Sequence, residues 1–200
     1  YSGLEHDGLF LEGTGAMVFD HLARVAYTAR SNRADPVALE RFSTHFNFEP
    51  LVFDTADAAG RSVYHTNVLM CVATEFAMVG FDMLTDPLRA VEIRARLEES
   101  GREVIALSSA QIAEFAGNAI ELSGLDGRVL ALSERAARSL RDDQRRVIED
   151  GAIAVDGRHI VAPVSRPAMA EDKLLTDLWL WSADGSVQRP LTGDPAAEAT

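Results

Sequence analysis

The sequence predicts an α+β architecture built from a repeating unit. Three observations carry that expectation. Short apolar runs of strand length recur along the chain, helical stretches opened by capping or proline signals fall between them, and 47% of the 200 residues are hydrophobic, ample for a core. The predicted order is strand, helix, strand pair, helix, strand, helix, strand pair, helix, strand. Short helices regularly separating paired strands suggest a repeated module, although no internal sequence repeat is detectable.

Leu9-Phe10-Leu11 and Ala16-Met17-Val18-Phe19 flank Gly13-Thr14-Gly15 and read as a strand with a tight backbone approach. Val25 to Tyr27 continues as a second short strand. Asp35-Pro36 opens a helix with proline in its first turn, running through Val37, Leu39, Phe42 and Phe46. Leu51-Val52-Phe53 is a strand, followed by turn chemistry at Asp57-Ala58-Ala59-Gly60. Val63 to Val72 and Phe76 to Leu84 read as two apolar strands joined at Thr74-Glu75, both buried on two faces because neither alternates cleanly. Asp86-Pro87 starts a charged helix to Glu99, with Leu88, Val91, Ile93 and Leu97 inward and Gly101 closing it. Val104 to Leu107 is a strand, and Ser108 caps a short helix to Phe115. Ile120 to Leu122 and Val129 to Leu132 form a hairpin across Gly124 to Gly127. Ser133-Glu134 starts a helix, which Arg141 to Asp150 either extends or follows with a second. Ile153 to Val155, Ile160 to Val164 and Leu174 to Trp181 give the last strands. The expected domain spans 1–191, and 192–200, rich in Pro, Ala and Glu, is expected to be a flexible tail.

The net charge of −12 argues against nucleic acid and anionic membranes as partners, since nothing here replaces counterions along a phosphate backbone. Acidity of this size is compatible with a cationic small ligand but is more often a solubility feature. No apolar run reaches the roughly 20 residues of a membrane helix. Cys71 stands alone, which fits a reducing, cytoplasmic setting. One cysteine with five scattered histidines argues against a structural zinc site, and without a glycine-rich phosphate loop no nucleotide cofactor is expected; the cofactor expectation is none.

Four segments then share a pattern. Leu11-Glu12-Gly13-Thr14-Gly15 resembles the acidic Leu-Glu-Gly motif of penteins, the fold of the arginine deiminase and amidinotransferase superfamily. Tyr64-His65-Thr66-Asn67-Val68-Leu69-Met70 resembles the histidine strand of the citrulline-utilising hydrolases and dimethylarginine hydrolase-like amidinotransferases. Gln111 with Phe115-Ala116-Gly117-Asn118-Ala119-Ile120-Glu121-Leu122, and Ser133-Glu134-Arg135-Ala136 with Gln144, resemble later segments of the same subgroup. Their order and spacing hold across about Glu5 to Glu149.

The resemblance implies a fan of ββαβ-type modules about a pseudo-fivefold axis, of which this chain would supply about three to four, its carboxy-terminal portion. It implies chemistry at a guanidino or ureido carbon: a cysteine thiolate attacks, a histidine protonates the leaving amine and then activates water, and carboxylates hold the cationic group. Carried over, Glu12 holds the guanidinium, His65 is the general acid and base, and Asn67, Asn118 and Arg166 contact substrate. Many penteins have aspartate where Asn67 stands. The nucleophile of the subgroup should fall in a segment matching Val164-Ser165-Arg166-Pro167-Ala168-Met169-Ala170-Glu171, where Pro167 takes the cysteine position. The first modules, with an acidic substrate-binding segment, should precede Tyr1. The expectation is therefore a catalytically impaired pentein with a binding or assembly role. The alternative is an active hydrolase of arginine, citrulline or methylated arginine, completed by a missing segment or partner chain. An incomplete fan should also form a homo-oligomer or join another polypeptide.

Each residue also has a structural reading. His65 beside an apolar run would on its own be a buried structural histidine, and Glu12 beside glycines a turn acceptor. Asn118 after Gly117 is a natural left-handed turn residue. Arg135, Arg138, Arg141, Arg145 and Arg146 read as a solvated helix face. Trp179 and Trp181 share one face of a strand and read as core or contact residues. Cys71, six residues beyond His65 on an expected continuous strand, would lie about 20 Å from it and reads as a buried structural thiol.

Overall fold

Asp35 opens the helix that follows the first strand pair: its side chain accepts from the backbone N–H of Val37 and Ala38 at 2.8 and 3.3 Å, and Pro36 sits where a missing N–H costs nothing. Helix α1 thus runs Pro36–Phe46 in this computed structural model and stops at Asn47, which turns left-handed at φ 55°. The structure describes residues 6–13, 15–124, 127–151, 153–155, 159–168, 173–182 and 188–190, with backbone alone from 153 onward. The expected tail, 192–200, lies outside the described residues.

Strands β1 (Met17–Asp20) and β2 (Val25–Ala29) pair antiparallel; α1 then crosses over and β3 (Glu49–Phe53) returns parallel to β2. The same ββαβ unit repeats. β4 (Met70–Val72) and β5 (Phe76–Val79) pair antiparallel, α2 (Pro87–Glu99) crosses, and β6 (Glu103–Ala106) lies parallel to β5. After a linking helix α3 (Ser109–Ala113), β7 (Ile120–Gly124) and β8 (Gly127–Ala131) form the third hairpin. Two helices, α4 (Glu134–Ser139) and α5 (Asp142–Asp150), then precede β9 (Ile153–Val155), parallel to β8. A fourth sheet is formed by β10 (His159–Ala168), β11 (Lys173–Ser182) and β12 (Gln188–Pro190), and among the described strands its pairings are all antiparallel. The α+β class and a partial fan of ββαβ modules are what the sequence predicts; β12 was not foreseen.

The first strands of the three modules stand side by side, β1 against β4 and β4 against β7. One apolar cluster runs through all three, from Tyr27 and Leu51 through Phe76, Met78 and Leu97 to Leu130 and Ile148. Two polar bolts lock neighbouring modules. Arg102, 3% exposed, donates to both carboxylate oxygens of Asp20, 0% exposed, at 2.5 and 3.1 Å, and also to the carbonyl of Ala73 and the Ser100 hydroxyl at 2.6 Å. Asp20 in turn caps the β1–β2 turn through Leu22 and Ala23. Between the second and third modules, the buried amide of Gln111 donates to Gln144 Oε1 at 2.6 Å and to the Ser139 carbonyl, and Gln144 donates to the Ala106 carbonyl. These are two of the residues that carried the family pattern, and their role is structural.

Two expected strands are shorter than the sequence suggests. Val63 to Val72 is not continuous: Thr66–Val68 form a 3-10 turn and only Met70–Val72 is strand. The cause is tertiary, because the buried Thr66 hydroxyl bridges the Ala16 carbonyl at 2.5 Å and the Ala29 N–H at 2.7 Å, which pulls the chain out of extension. Phe76 to Leu84 likewise splits at Gly80, with a 3-10 turn at Phe81–Met83. Leu140, extended at ψ 138°, separates α4 from α5. Among the described residues, no helix is long and apolar enough to cross a membrane.

Candidate active site at the rim of the first strands

The loops leading into β1, β4 and β7 gather at one rim, and close backbone approaches hold them there. Gly15, at φ +98°, accepts the Asn67 N–H on its carbonyl at 3.0 Å, and a Cβ on it would stand 2.6 Å from the Asn67 side chain. Gly117 packs so tightly that a Cβ would fall 2.6 Å from the Val68 carbonyl. The loop before β4 is therefore clamped on both sides. The left-handed residue of the β7 loop is Phe115 (φ 65°), not Asn118, so Gly117 is required by contact and not by backbone angle.

This clamp brings Glu12 and His65 together. His65 precedes the 3-10 turn in extended conformation, and its Nε2 lies 2.6 Å from Glu12 Oε2, well inside the roughly 12 Å that one small ligand could bridge. Glu12 Oε1 accepts from Arg33 Nη1 at 2.5 Å. Hydrogen bonding from His65, then from Arg33, holds the Glu12 carboxyl below its ordinary value, so it is ionised at neutral pH. With Glu12 ionised, its carboxylate oxygen can only accept, so His65 Nε2 is the donor in this contact. The Tyr64 ring lies 4.8 Å from the His65 ring and 5.9 Å from the Arg33 guanidinium. Sequence reasoning missed Arg33. Only the bridge between Leu11 and Ala34, with the Glu12 N–H on the Arg33 carbonyl at 3.0 Å, reveals that these distant residues are neighbours.

Asn67 and Asn118 meet at a separate cleft of about 440 Å3 between β1, β4 and β7, lined also by Gly15, Met17, Cys71 and Glu121. Glu121 Oε2 accepts from the Thr74 N–H and hydroxyl, while Oε1 has Arg128 3.4 Å away as an ion pair and no hydrogen bond. Cys71 is buried, and burial, aided by the Glu121 charge, pushes its thiol up to about 12. It is protonated at neutral pH and inert as a nucleophile. The strand that was to hold Cys71 about 20 Å from His65 is interrupted, so burial, not distance along a strand, is what disqualifies it. Arg166 and Pro167 lie on β10 opposite Leu175 and Leu174, and their side chains fall outside the described residues. Four of the five arginines of the helical series are engaged: Arg135 with Glu114, Arg138 with Glu134, Arg141 with Asp143, and Arg145 with the Leu140 and Ala137 carbonyls. Among the described residues no cluster of His, Cys, Asp or Glu could hold a metal ion.

A family of N,N-dimethylarginine dimethylhydrolases, described as eukaryotic, matches residues 1–161. The chain belongs to that family. It is a member of the pentein superfamily, as its motifs suggest. Among solved structures it is similar to the apo form of ArgZ, a cyanobacterial arginine dihydrolase of the ornithine-ammonia cycle, at 15% identity and TM-score 0.57, covering 74% of this chain and 22% of that one. It is similar to the amino-terminal domain of ArgZ bound to product, at 15% identity, TM-score 0.56, and 74% and 49% coverage. It also resembles AgrE in binary complex with L-arginine, at 17% identity, TM-score 0.58, and 74% and 20% coverage. These likenesses speak to fold. The chain spans about a fifth to a half of the solved proteins it matches. No curated protein sequence matches it at a significant level.

Proposed function

We propose that this chain holds the guanidino or ureido group of an arginine-like small molecule at the Glu12–His65 pair without turning it over, in a binding or assembly role. The observation that carries this reading is the 2.6 Å contact between His65 Nε2 and Glu12 Oε2 in segments that match the family pattern. The ionised Glu12 is the anionic acceptor a planar N–H-bearing group needs; Asn67 and Asn118, which line the separate cleft, are proposed as neutral contacts to the rest of the ligand. Arg166 is proposed as a further substrate contact. The solved AgrE complex contains L-arginine, and another contains ornithine with NAD+; both ligands are arginine-like amino acids or their products, consistent with the class proposed here.

Impairment follows from the chemistry. Displacement at a resonance-stabilised carbon is divided into two easier steps by a nucleophile, and Pro167 has no thiol to offer at the position the family pattern gives it. Water activated by His65 alone forgoes the thiolate's nucleophilicity, and losing a nucleophile lowers rate by several orders of magnitude. The acid–base and binding parts need no cofactor. A cytoplasmic setting, a single domain over 1–191 and self-association or a partner chain complete the proposal. A second reading, an active hydrolase whose nucleophile comes from another segment or chain, is favoured by the intact Glu12–His65 pair.

Calorimetric titration with arginine, citrulline, agmatine and dimethylarginine tests the binding claim. At least one should bind in the micromolar to millimolar range, roughly −4 to −8 kcal/mol, and Glu12→Gln should weaken it at least about tenfold. Absence of binding by all four overturns the reading.

A further inference from the structure

We propose that a cavity of about 830 Å3, separate from the Glu12–His65 pair, is a second ligand site that takes a small protonated amine with an aromatic body. The site stands apart from the function proposed above and does not depend on it.

The cavity lies where the first two modules meet the linking helix. Its walls are the 56–64 loop after β3, Val68, the 3-10 turn after β5 with Asp82 and Met83, and α3 with Phe115. Hydrogen bonds within and between these walls preform it. Asp57 organises the loop, accepting from the Ala59 and Arg61 N–H groups at 2.8 and 2.9 Å and from Arg61 Nε at 2.9 Å. The Ala56 N–H donates to the Met83 carbonyl at 2.9 Å and the Thr85 N–H to the Asp54 carbonyl at 3.1 Å, which stitches the loop to the segment after β5. The Val63 N–H donates to the buried Thr55 hydroxyl at 3.0 Å. The volume falls within the roughly 300–1,000 Å3 of small-molecule sites, which are largely formed before the ligand arrives.

Two rings of the lining are left open to solvent: Tyr64 is 54% exposed and Phe115 48%, while Val63 and Ile112 are buried. Phe115 stands at φ 65°, a left-handed conformation that a bulky side chain rarely adopts. The fold thus keeps an aromatic ring in the cavity wall against a backbone cost, and strain held in this way accompanies ligand sites. Charge then selects the class. Asp57 and Arg61 cancel in an ion pair at 2.8 Å. The guanidinium groups of Arg33 and Arg135, 5.9 and 5.6 Å from the two rings, pair with Glu12 and Glu114. Asp82 is exposed and, among the described residues, makes no hydrogen bond or ion pair. A ligand with a ring for Tyr64 and Phe115 and one cation for Asp82 complements this lining. A carboxylate would be repelled, and a sugar-like polyol would leave the apolar walls uncovered.

Phenethylamine and its uncharged counterpart, phenethyl alcohol, share the ring and differ in the terminal group, so comparing them separates the apolar contact from the charge. The measurement is titration of each into the full chain at neutral pH, with the Ile112, Met83 and Val68 methyl groups followed by 13C-methyl NMR. Both should shift these methyls saturably, the amine at roughly millimolar concentration or below. The amine should bind about fivefold or more tightly than the alcohol, the worth of a unit charge a few ångströms away in a solvated setting. Asp82→Asn should abolish that preference, and since Asp82 is exposed the variant should fold. Phe115→Gly, which removes the ring and relaxes the backbone, should weaken both probes severalfold. Glu12→Gln should leave the amine's affinity unchanged. Absence of saturable shifts at these methyls overturns the site. Equal affinity for amine and alcohol, or a preference that survives Asp82→Asn, overturns the cationic class. Loss of the amine in Glu12→Gln would assign it to the Glu12–His65 pair and overturn a separate site.

Discussion

Arg102 and Asp20 show how one pair of side chains holds two modules in register. Both are buried, and the guanidinium donates four hydrogen bonds, to Asp20, Ala73 and Ser100. Replacing both with apolar groups could be neutral, but removing one leaves a buried charge without its partner. Arg102→Ala should cost about 3–5 kcal/mol, read as a lowered denaturant midpoint at unchanged slope. A loss under about 1 kcal/mol would mean that water or a neighbour takes over Asp20. The site residues obey the same logic at smaller burial. Glu12 and His65 could be named from the sequence because each sits in a dense motif. Arg33 could not: it follows an ordinary strand, 21 positions from Glu12, and becomes visible only when Leu11 pairs with Ala34.

At the scale of elements, the capping signals were the most legible part of the chain. Asp35-Pro36, Asp86-Pro87, Ser108 and Ser133 each open a helix where the sequence places one, because a side-chain oxygen and a backbone N–H a few residues on decide the matter locally. The strands flanking Thr66 and Gly80 were less legible, since their lengths depend on a hydroxyl bonded to two other strands and on a glycine packed against Ile112. Periodicity within a segment carries no record of such contacts. The same holds for the Gly117–Asn118 segment, where the sequence suggests a left-handed turn at Asn118 and the structure instead makes Gly117 a contact residue. Gly117→Ala should drive a methyl into the Val68 and Leu69 backbone and destabilise by about 1–3 kcal/mol. It should also weaken ligand binding, because the displaced loop carries His65. Full stability in this variant, measured by chemical denaturation, would show that the rim is not clamped there.

For the whole molecule, the repetition of hairpin, crossover helix and parallel return three times over is what the family pattern anticipates, and the fourth sheet differs in being antiparallel among its described strands. The same fourth sheet carries Pro167. β10 has a neighbour on one side alone among the described strands, which is where a residue without an N–H can be accommodated. Backbone geometry thus tolerates proline at the position where the chemistry calls for a thiol. The account's central claim, a site that binds and does not turn over, is tested most directly by following release of ammonia, methylated amine or urea from arginine, citrulline, agmatine and dimethylarginine. The wild type should give no product above background, and any gain of release in Pro167→Cys would fix the alignment of that segment. Release proportional to protein concentration, abolished by His65→Ala and untouched by Cys71→Ala, would contradict the claim and establish an active hydrolase.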